Sequence, residues 1–156
     1  MLKAQEVMRE THQPRQALRG VGAVLAGMLT GIILSLGTDE LLHLAHVFPP
    51  WDQRASDALL LLATIYRTIY GVAGSYIAAR LAPNRPMLHA MILGVLGLAA
   101  STAGAAVTWN KGPVFGPHWY PVALVVLAIP TAWAGGKIRL AQLRVRADRG
   151  RRNSLD

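Results

Sequence analysis

The sequence predicts an all-α integral membrane protein, a compact bundle of four transmembrane helices. Four long apolar runs cover residues 20–38, 58–79, 86–110 and 112–136, and Arg67 is the one charged residue within them. Each run is long enough to cross a hydrocarbon layer of about 30 Å. Charged residues make up 15% of the chain, against about 25% in soluble domains. A soluble domain of this length would place polar residues on one face of each helix, and these runs do not.

The placement of the basic residues predicts the orientation of the bundle. Thirteen of the 16 Lys and Arg residues lie before the first run, between the second and third, or after the fourth, whereas Arg54 and Lys111 lie in the other two connections. Lys and Arg close to membrane helices are retained on the cytoplasmic side during insertion. Both termini are therefore expected in the cytoplasm, with two hairpins on the outer side of a bacterial inner membrane. The thirteen are Lys3, Arg9, Arg15, Arg19, Arg80, Arg85, Lys137, Arg139, Arg144, Arg146, Arg149, Arg151 and Arg152.

Four helices are expected, over residues 17–47, 57–81, 87–109 and 118–137, within a single domain that spans residues 1–156. Prolines set most of these ends, because proline has no amide N–H and cannot continue a helix. Pro130 lies inside the fourth helix and is expected to kink it. The flanking prolines are Pro49, Pro50, Pro83, Pro86 and Pro117.

Basic segments lie at both ends of the chain, a short one before the first helix and a tail over residues 138–156. The apolar positions of the tail, such as Ile138, Leu140 and Leu143, spread around a helical wheel, so the tail is not a clean amphipathic helix. We expect it to fix the topology and to contact anionic lipid headgroups. No specific nucleic acid is expected as a partner.

Small residues form a stripe along each of the first three helices. Lipid tails gain nothing from contact with glycine, whereas the backbone of a neighbouring helix can approach it closely. The stripes are therefore expected to face other helices. One bundle need not use all of them, so the lipid bilayer and a homo-oligomer formed through the Gly-rich faces are the expected partners. The stripes consist of Gly27, Gly31 and Ser35; of Ser56, Leu60, Ala63, Arg67, Gly71, Gly74 and Ala78; and of Ala90, Gly94, Gly97, Ser101, Gly104 and Thr108.

Arg67 is the residue that says most about function. It lies near the middle of its helix, where a charged side chain costs about 2.5–3.5 kcal/mol on insertion scales. It shares its stripe with small residues, so it is expected to point into the bundle. We predict an intramembrane polar site formed by Arg67, Tyr66, Tyr70, Asp39 and Glu40. Within it, Arg67 is expected to hydrogen-bond one of the two acids or, if these lie too far away, the tyrosine hydroxyls and backbone carbonyls.

A second cluster suggests a metal site. Asp39, His43 and His46 fall within an arc of about 60° on the first helix. Carboxylate and imidazole groups bind Zn²⁺ and other divalent ions, so these three residues are the hypothetical ligands, with Glu40 or His118 as a further one. Ligation needs neutral imidazole, and binding would therefore weaken below about pH 6.5. Apart from this metal, no cofactor is expected.

Several function classes are excluded by what the sequence lacks. The chain has no cysteine, which excludes disulfides, thiolate metal sites and thiol nucleophiles. It also contains no P-loop, GxSxG or HExxH pattern. The expected function is that of a membrane scaffold or binding protein. One alternative is a small oligomeric transporter or channel with a polar path at Arg67, and another is a metal-dependent membrane enzyme at Asp39, His43 and His46. A cavity that reaches Arg67 would favour transport, and close packing around it would favour a scaffold.

Overall fold

The computed structural model describes the backbone of residues 2–153 and the side chains of residues 15–153 except Pro113. Within these residues the chain forms four long α-helices, α1 Leu2–Leu44, α2 Asp57–Leu81, α3 Pro86–Thr108 and α4 Trp119–Asn153, and a short 3-10 helix, Pro113–Phe115. All four α-helices are long and apolar enough to cross a membrane by length and composition. We call the end with the α1–α2 and α3–α4 connections the hairpin end, and the opposite end the termini end.

The first helix differs from its expected bounds at both ends. α1 begins at Leu2 and stops at Leu44, whereas residues 17–47 were expected. It stops early because His46 has a left-handed φ of 57°. The amide of Val47 then donates a hydrogen bond of 2.9 Å back to the Leu42 carbonyl, which closes the last turn.

The middle helices begin at residues that suit the start of a helix. The expected bounds of α2, residues 57–81, coincide with the observed ones, and the Ser56 hydroxyl accepts a hydrogen bond from the Leu59 amide at 3.4 Å. α3 begins at Pro86, which suits a first helical position because that position needs no amide N–H.

The last helix continues far beyond its expected end near residue 137. α4 runs through the basic tail to Asn153, because residues 137–149 contain neither Gly nor Pro and consist largely of good helix formers. The base of this extension is held against α2, where the Tyr76 hydroxyl donates to Gln142 Oε1 at 3.0 Å.

α2 is the central helix of the bundle. It packs extensively against α1 on one side and α4 on the other, and α3 packs mainly against α4. α1 and α3 have few contacts with each other. The four helices therefore form a ring that is nearly open between α1 and α3.

Glycines permit close approaches of α2 to both α1 and α4. A Cβ at Gly74 of α2 would lie 2.6 Å from the carbonyl oxygen of Gly27 in α1. A Cβ at Gly135 of α4 would lie 2.6 Å from the carbonyl oxygen of Val72 in α2. Real side chains do not tolerate such distances, so Gly27 and Gly74 of the first two stripes face a neighbouring helix as the sequence predicts.

The stripe of α3 is only half used within the chain. Gly94 faces α4, where Ala132 occupies the space that a Cβ would need. Gly97 and Gly104, however, have nothing within 4 Å of the position of a Cβ. Among the described residues, the second half of this stripe therefore faces no other helix, in line with the expectation that one bundle need not use every stripe.

The packing core consists of small residues, and large apolar side chains cover the surface. Ala63, Ala78 and Ala90 are buried, whereas Ile33 and Ile69 are more than half exposed. An apolar surface of this extent is unfavourable in water and favourable in a lipid environment.

Candidate functional site

An ion pair joins α1 to α2 near the hairpin end. Asp39 of α1 accepts hydrogen bonds on both carboxylate oxygens, one from the Tyr66 hydroxyl and one from Arg67 Nη2. Asp39 is 9% exposed and Tyr66 is 7% exposed. The predicted contact between Arg67 and an acid of the first helix is present, and Asp39 is that acid.

The local sequence explains why these residues meet. Asp39 follows Gly27, Gly31 and Ser35 at intervals of four residues, so it extends the face of α1 that approaches α2. On α2, the stripe of small residues brings Arg67 to the same interface. The Thr38 and Tyr70 hydroxyls add a second link of 2.9 Å between these helices.

The ion pair borders a cavity of about 160 Å³ at the hairpin end. Asp39, Tyr66 and Arg67 line it together with Tyr120 of α4. Residues of both hairpin connections cover it, so all of α1, α2, α4 and the two loops contribute. The remaining lining residues are His43, Phe48, Pro49, Pro50, Trp51, Gln53, Ala55, Leu60, Ala63, Val114, Phe115 and Gly116.

Arg67 keeps hydrogen-bonding capacity beyond its contact with Asp39. The guanidinium has five N–H donors, and its hydrogen bond to Asp39 uses one of them. Its Nε is buried and has no partner within this part of the chain. The Arg67 side chain is 32% exposed and lines the cavity. Tyr120 lies close enough to interact with its charge.

No protein-family model, curated protein or solved structure matches this chain.

The chemistry of the cavity follows from the groups that line it. One guanidinium with unused donors and the Tyr120 hydroxyl suit a small polar molecule that carries acceptor oxygens. Asp39 balances the charge of Arg67 and fixes its orientation.

The predicted metal ligands are not assembled. His43 donates from Nδ1 to the carbonyl oxygen of Asp39 at 2.7 Å, and its ring stacks on Trp51 at 3.7 Å between centroids. The Asp39 carboxylate is occupied by Tyr66 and Arg67, while His46 lies beyond the end of α1. Across residues 15–153, no three His, Asp or Glu side chains are grouped so as to hold a metal ion.

The other predicted site residues have different neighbours. Glu40 is exposed on α1 and does not line the cavity. Tyr70 contacts Thr38 rather than the ion pair. His118 contacts the Trp109 carbonyl at 3.0 Å and stacks on the Trp109 ring.

Tyr120 and the loop residues around the cavity were not predicted as parts of the site. In the sequence, Tyr120 resembles any aromatic residue at a membrane interface. The packing of α4 against α2 brings it to Arg67, and no local signal near residue 120 indicates that packing.

Proposed function

We propose that this protein is a multi-pass protein of the bacterial inner membrane that binds a small polar solute at its outer, hairpin end. The membrane assignment is supported by four helices of spanning length and by the exposed aliphatic surface. The 13-to-2 distribution of basic residues supports cytoplasmic termini. Under this orientation the basic extension of α4 lies in the cytoplasm, where it can contact anionic headgroups.

The observation that carries the binding function is the cavity at the Asp39–Arg67 pair. Arg67 lies ten residues after the start of α2 and Asp39 five residues before the end of α1, about 15 Å and 8 Å along the two helix axes. The pair therefore lies inside a 30 Å hydrocarbon layer, between its outer boundary and its middle. An ion pair used only for packing is often replaceable by apolar residues at no cost. A charged pair that borders a cavity at this depth is better explained by a ligand with polar groups.

The cavity limits the size of the ligand. A cavity of about 150 Å³ holds a molecule the size of benzene, so the solute has on the order of six non-hydrogen atoms. Inorganic phosphate and short monocarboxylates such as acetate and lactate combine this size with acceptor oxygens that pair with a guanidinium.

The test is ligand-dependent stabilisation of the purified protein in lipid nanodiscs. A ligand at 100 times its Kd stabilises a protein by about 2.7 kcal/mol, so phosphate and the monocarboxylates are titrated while thermal unfolding is followed. We expect at least one of them to raise the unfolding temperature of the wild type and to lose this effect in Arg67→Gln.

Arg54→Gln is the matched control for this test. Arg54 also pairs with an acid at the hairpin end, Asp57, at 3.2 Å, but both side chains are exposed. The ligand effect should persist in this variant. Equal stabilisation of Arg67→Gln and wild type, or no effect of any titrated anion on the wild type, would contradict the binding proposal.

Transport is the second candidate, favoured by the depth at which the cavity reaches Arg67. A bundle of four helices has little internal volume, so a transport path would need a homo-oligomer. The open faces at Gly97 and Gly104 of α3 support that association. Flux of the stabilising anion into proteoliposomes distinguishes a transporter from a binding protein, and Arg67→Gln should abolish that flux.

A further inference from the structure

A second, larger cleft lies between α1 and α3 at the termini end. These two helices have few contacts with each other, and the gap between them has a volume of about 1000 Å³. The cleft is bounded by one face of each helix and by the α2–α3 connection. Its lining residues are Gln16, Ala17, Gly20, Val21, Val24, Leu25, Asn84, His89, Ile92 and Leu96.

The lining changes from polar to apolar along the cleft. Gln16, Asn84 and His89 lie at the termini end, whereas Leu25 and Leu96 lie deeper in the bundle. From Gln16 to Leu25 the helix rises about 14 Å, which is about half of a 30 Å hydrocarbon layer. The cleft therefore has the depth of one leaflet, with its polar end at the level of the headgroups.

Hydrogen bonds and one close contact fix the side chains at the polar end of the cleft. Asn84 Nδ2 donates to Gln16 Oε1 at 3.4 Å, which links the α2–α3 connection to α1. His89 is 8% exposed and donates from Nδ1 to the Arg85 carbonyl at 3.3 Å. The imidazole lies against Gly20, where a Cβ would be 2.6 Å from His89 Nε2. Gly20 therefore leaves the space that the imidazole occupies.

The charge at this end is positive. Arg85 directly follows Asn84 and is exposed, and its guanidinium has no hydrogen-bond or ion-pair partner among the described residues. The connection over residues 82–85 contains no acid. A cationic group beside amide donors, above an apolar cleft, complements an anionic headgroup with an attached acyl chain.

We propose that this cleft binds one anionic phospholipid from the leaflet at the termini end. An acyl chain lies between α1 and α3, and the phosphate is held near Asn84 and Arg85. The proposal rests on the membrane location of the protein but not on the solute site at Arg67. It also explains how a gap of this size is filled, because an empty apolar cleft forfeits its packing contacts.

Native mass spectrometry of the whole chain, released from mild detergent, tests the proposal. Phosphatidylglycerol or phosphatidylcholine is added at a series of concentrations, and the fraction of protein with one bound lipid is measured. We expect one tightly retained phosphatidylglycerol per chain. A surface arginine contributes about 1 kcal/mol to binding an anionic lipid, so Arg85→Gln should weaken the preference for phosphatidylglycerol about fivefold. Arg54→Gln, at an exposed arginine of the opposite, hairpin end, should leave that preference unchanged.

A second pair of variants tests the acyl-chain cleft itself. Val21→Trp fills the cleft, whereas Val95→Trp adds the same side chain at an equally exposed valine, 55% against 58%, that does not line it. Lipid occupancy should fall at least fivefold in Val21→Trp and stay unchanged in Val95→Trp. Unfolding temperature, measured on the same samples, separates lost binding from lost folding.

Three outcomes would overturn the proposal. These are equal lipid retention by Val21→Trp and Val95→Trp, equal affinity of the wild type for both phospholipids, and a dimer mass that disappears in Val21→Trp. The last outcome would assign the cleft to a second copy of the chain. A protein found outside the membrane fraction would instead contradict the membrane location, which is a separate result.

Discussion

At the scale of single residues, Asp39 is the acid that pairs with Arg67, and its neighbour Glu40 is not. Asp39 faces α2 and accepts hydrogen bonds from Tyr66 and Arg67, whereas Glu40 is exposed. Adjacent residues on a helix point about 100° apart, so only one of the two can face α2. The two acids therefore form a natural pair for a substitution experiment.

Asp39→Asn should destabilise the protein, and Glu40→Gln should not. Removing one partner of a buried ion pair costs about 3–5 kcal/mol, and the partly exposed Arg67 makes this an upper bound for the loss of its counter-charge. Loss of an exposed acid changes stability by less than about 0.5 kcal/mol. Tyr66→Phe removes a single hydrogen bond and should cost about 1 kcal/mol.

Free energies of unfolding in mild detergent check these values. A double-mutant cycle between Asp39→Asn and Arg67→Gln should give a coupling energy of about 1–3 kcal/mol. Equal losses in Asp39→Asn and Glu40→Gln, or no coupling in the cycle, would refute the role of the pair as a link between α1 and α2.

At the scale of helices, the use of small residues differs between α1 and α3. Gly27 of α1 lies against the backbone of α2, and a Cβ there would be 2.8 Å from the Cβ of Ala78. Gly97 of α3 has open space around it. Glycine in a stripe of small residues thus permits close helix packing at Gly27, whereas at Gly97 it leaves the helix face uncovered.

Gly27→Ala should therefore destabilise the bundle, by about 1–3 kcal/mol, because it overpacks a tight interface. Gly97→Ala should leave it unchanged or stabilise it by up to about 1 kcal/mol, because alanine favours the helix over glycine. Unfolding temperatures of the two variants provide the comparison. A larger loss in Gly97→Ala would mean that a second chain covers this face, and a lower oligomeric mass for that variant would identify the homo-oligomer expected from the sequence.

At the scale of the whole molecule, the basic residues and the length of α4 define two unlike ends. α4 has 35 residues, or about 52 Å, which exceeds a 30 Å hydrocarbon layer. Its last turns carry most of the basic residues of the tail, and Tyr76 and Gln142 fix the point where the extension leaves the bundle.

Reporter fusions measure the proposed orientation. A reporter that is active in the cytoplasm should be active when fused after residue 156. A reporter that is active only outside the cytoplasm should be active when inserted at Gly112, which is exposed in the α3–α4 connection. Because Lys and Arg are retained on the cytoplasmic side, the reverse pattern would overturn the N-in and C-in topology and place the Arg67 cavity on the cytoplasmic side.

The sequence by itself predicts four helices of spanning length, the side on which each connection is expected, and the need of Arg67 for an acid. These follow from hydropathy and charge, which are properties of each segment taken alone. Only the tertiary structure selects Asp39 over Glu40, brings Tyr120 to the cavity and separates α1 from α3. The physical reason is that these features depend on which helix faces lie against each other. That packing depends jointly on small differences in side-chain volume along several helices.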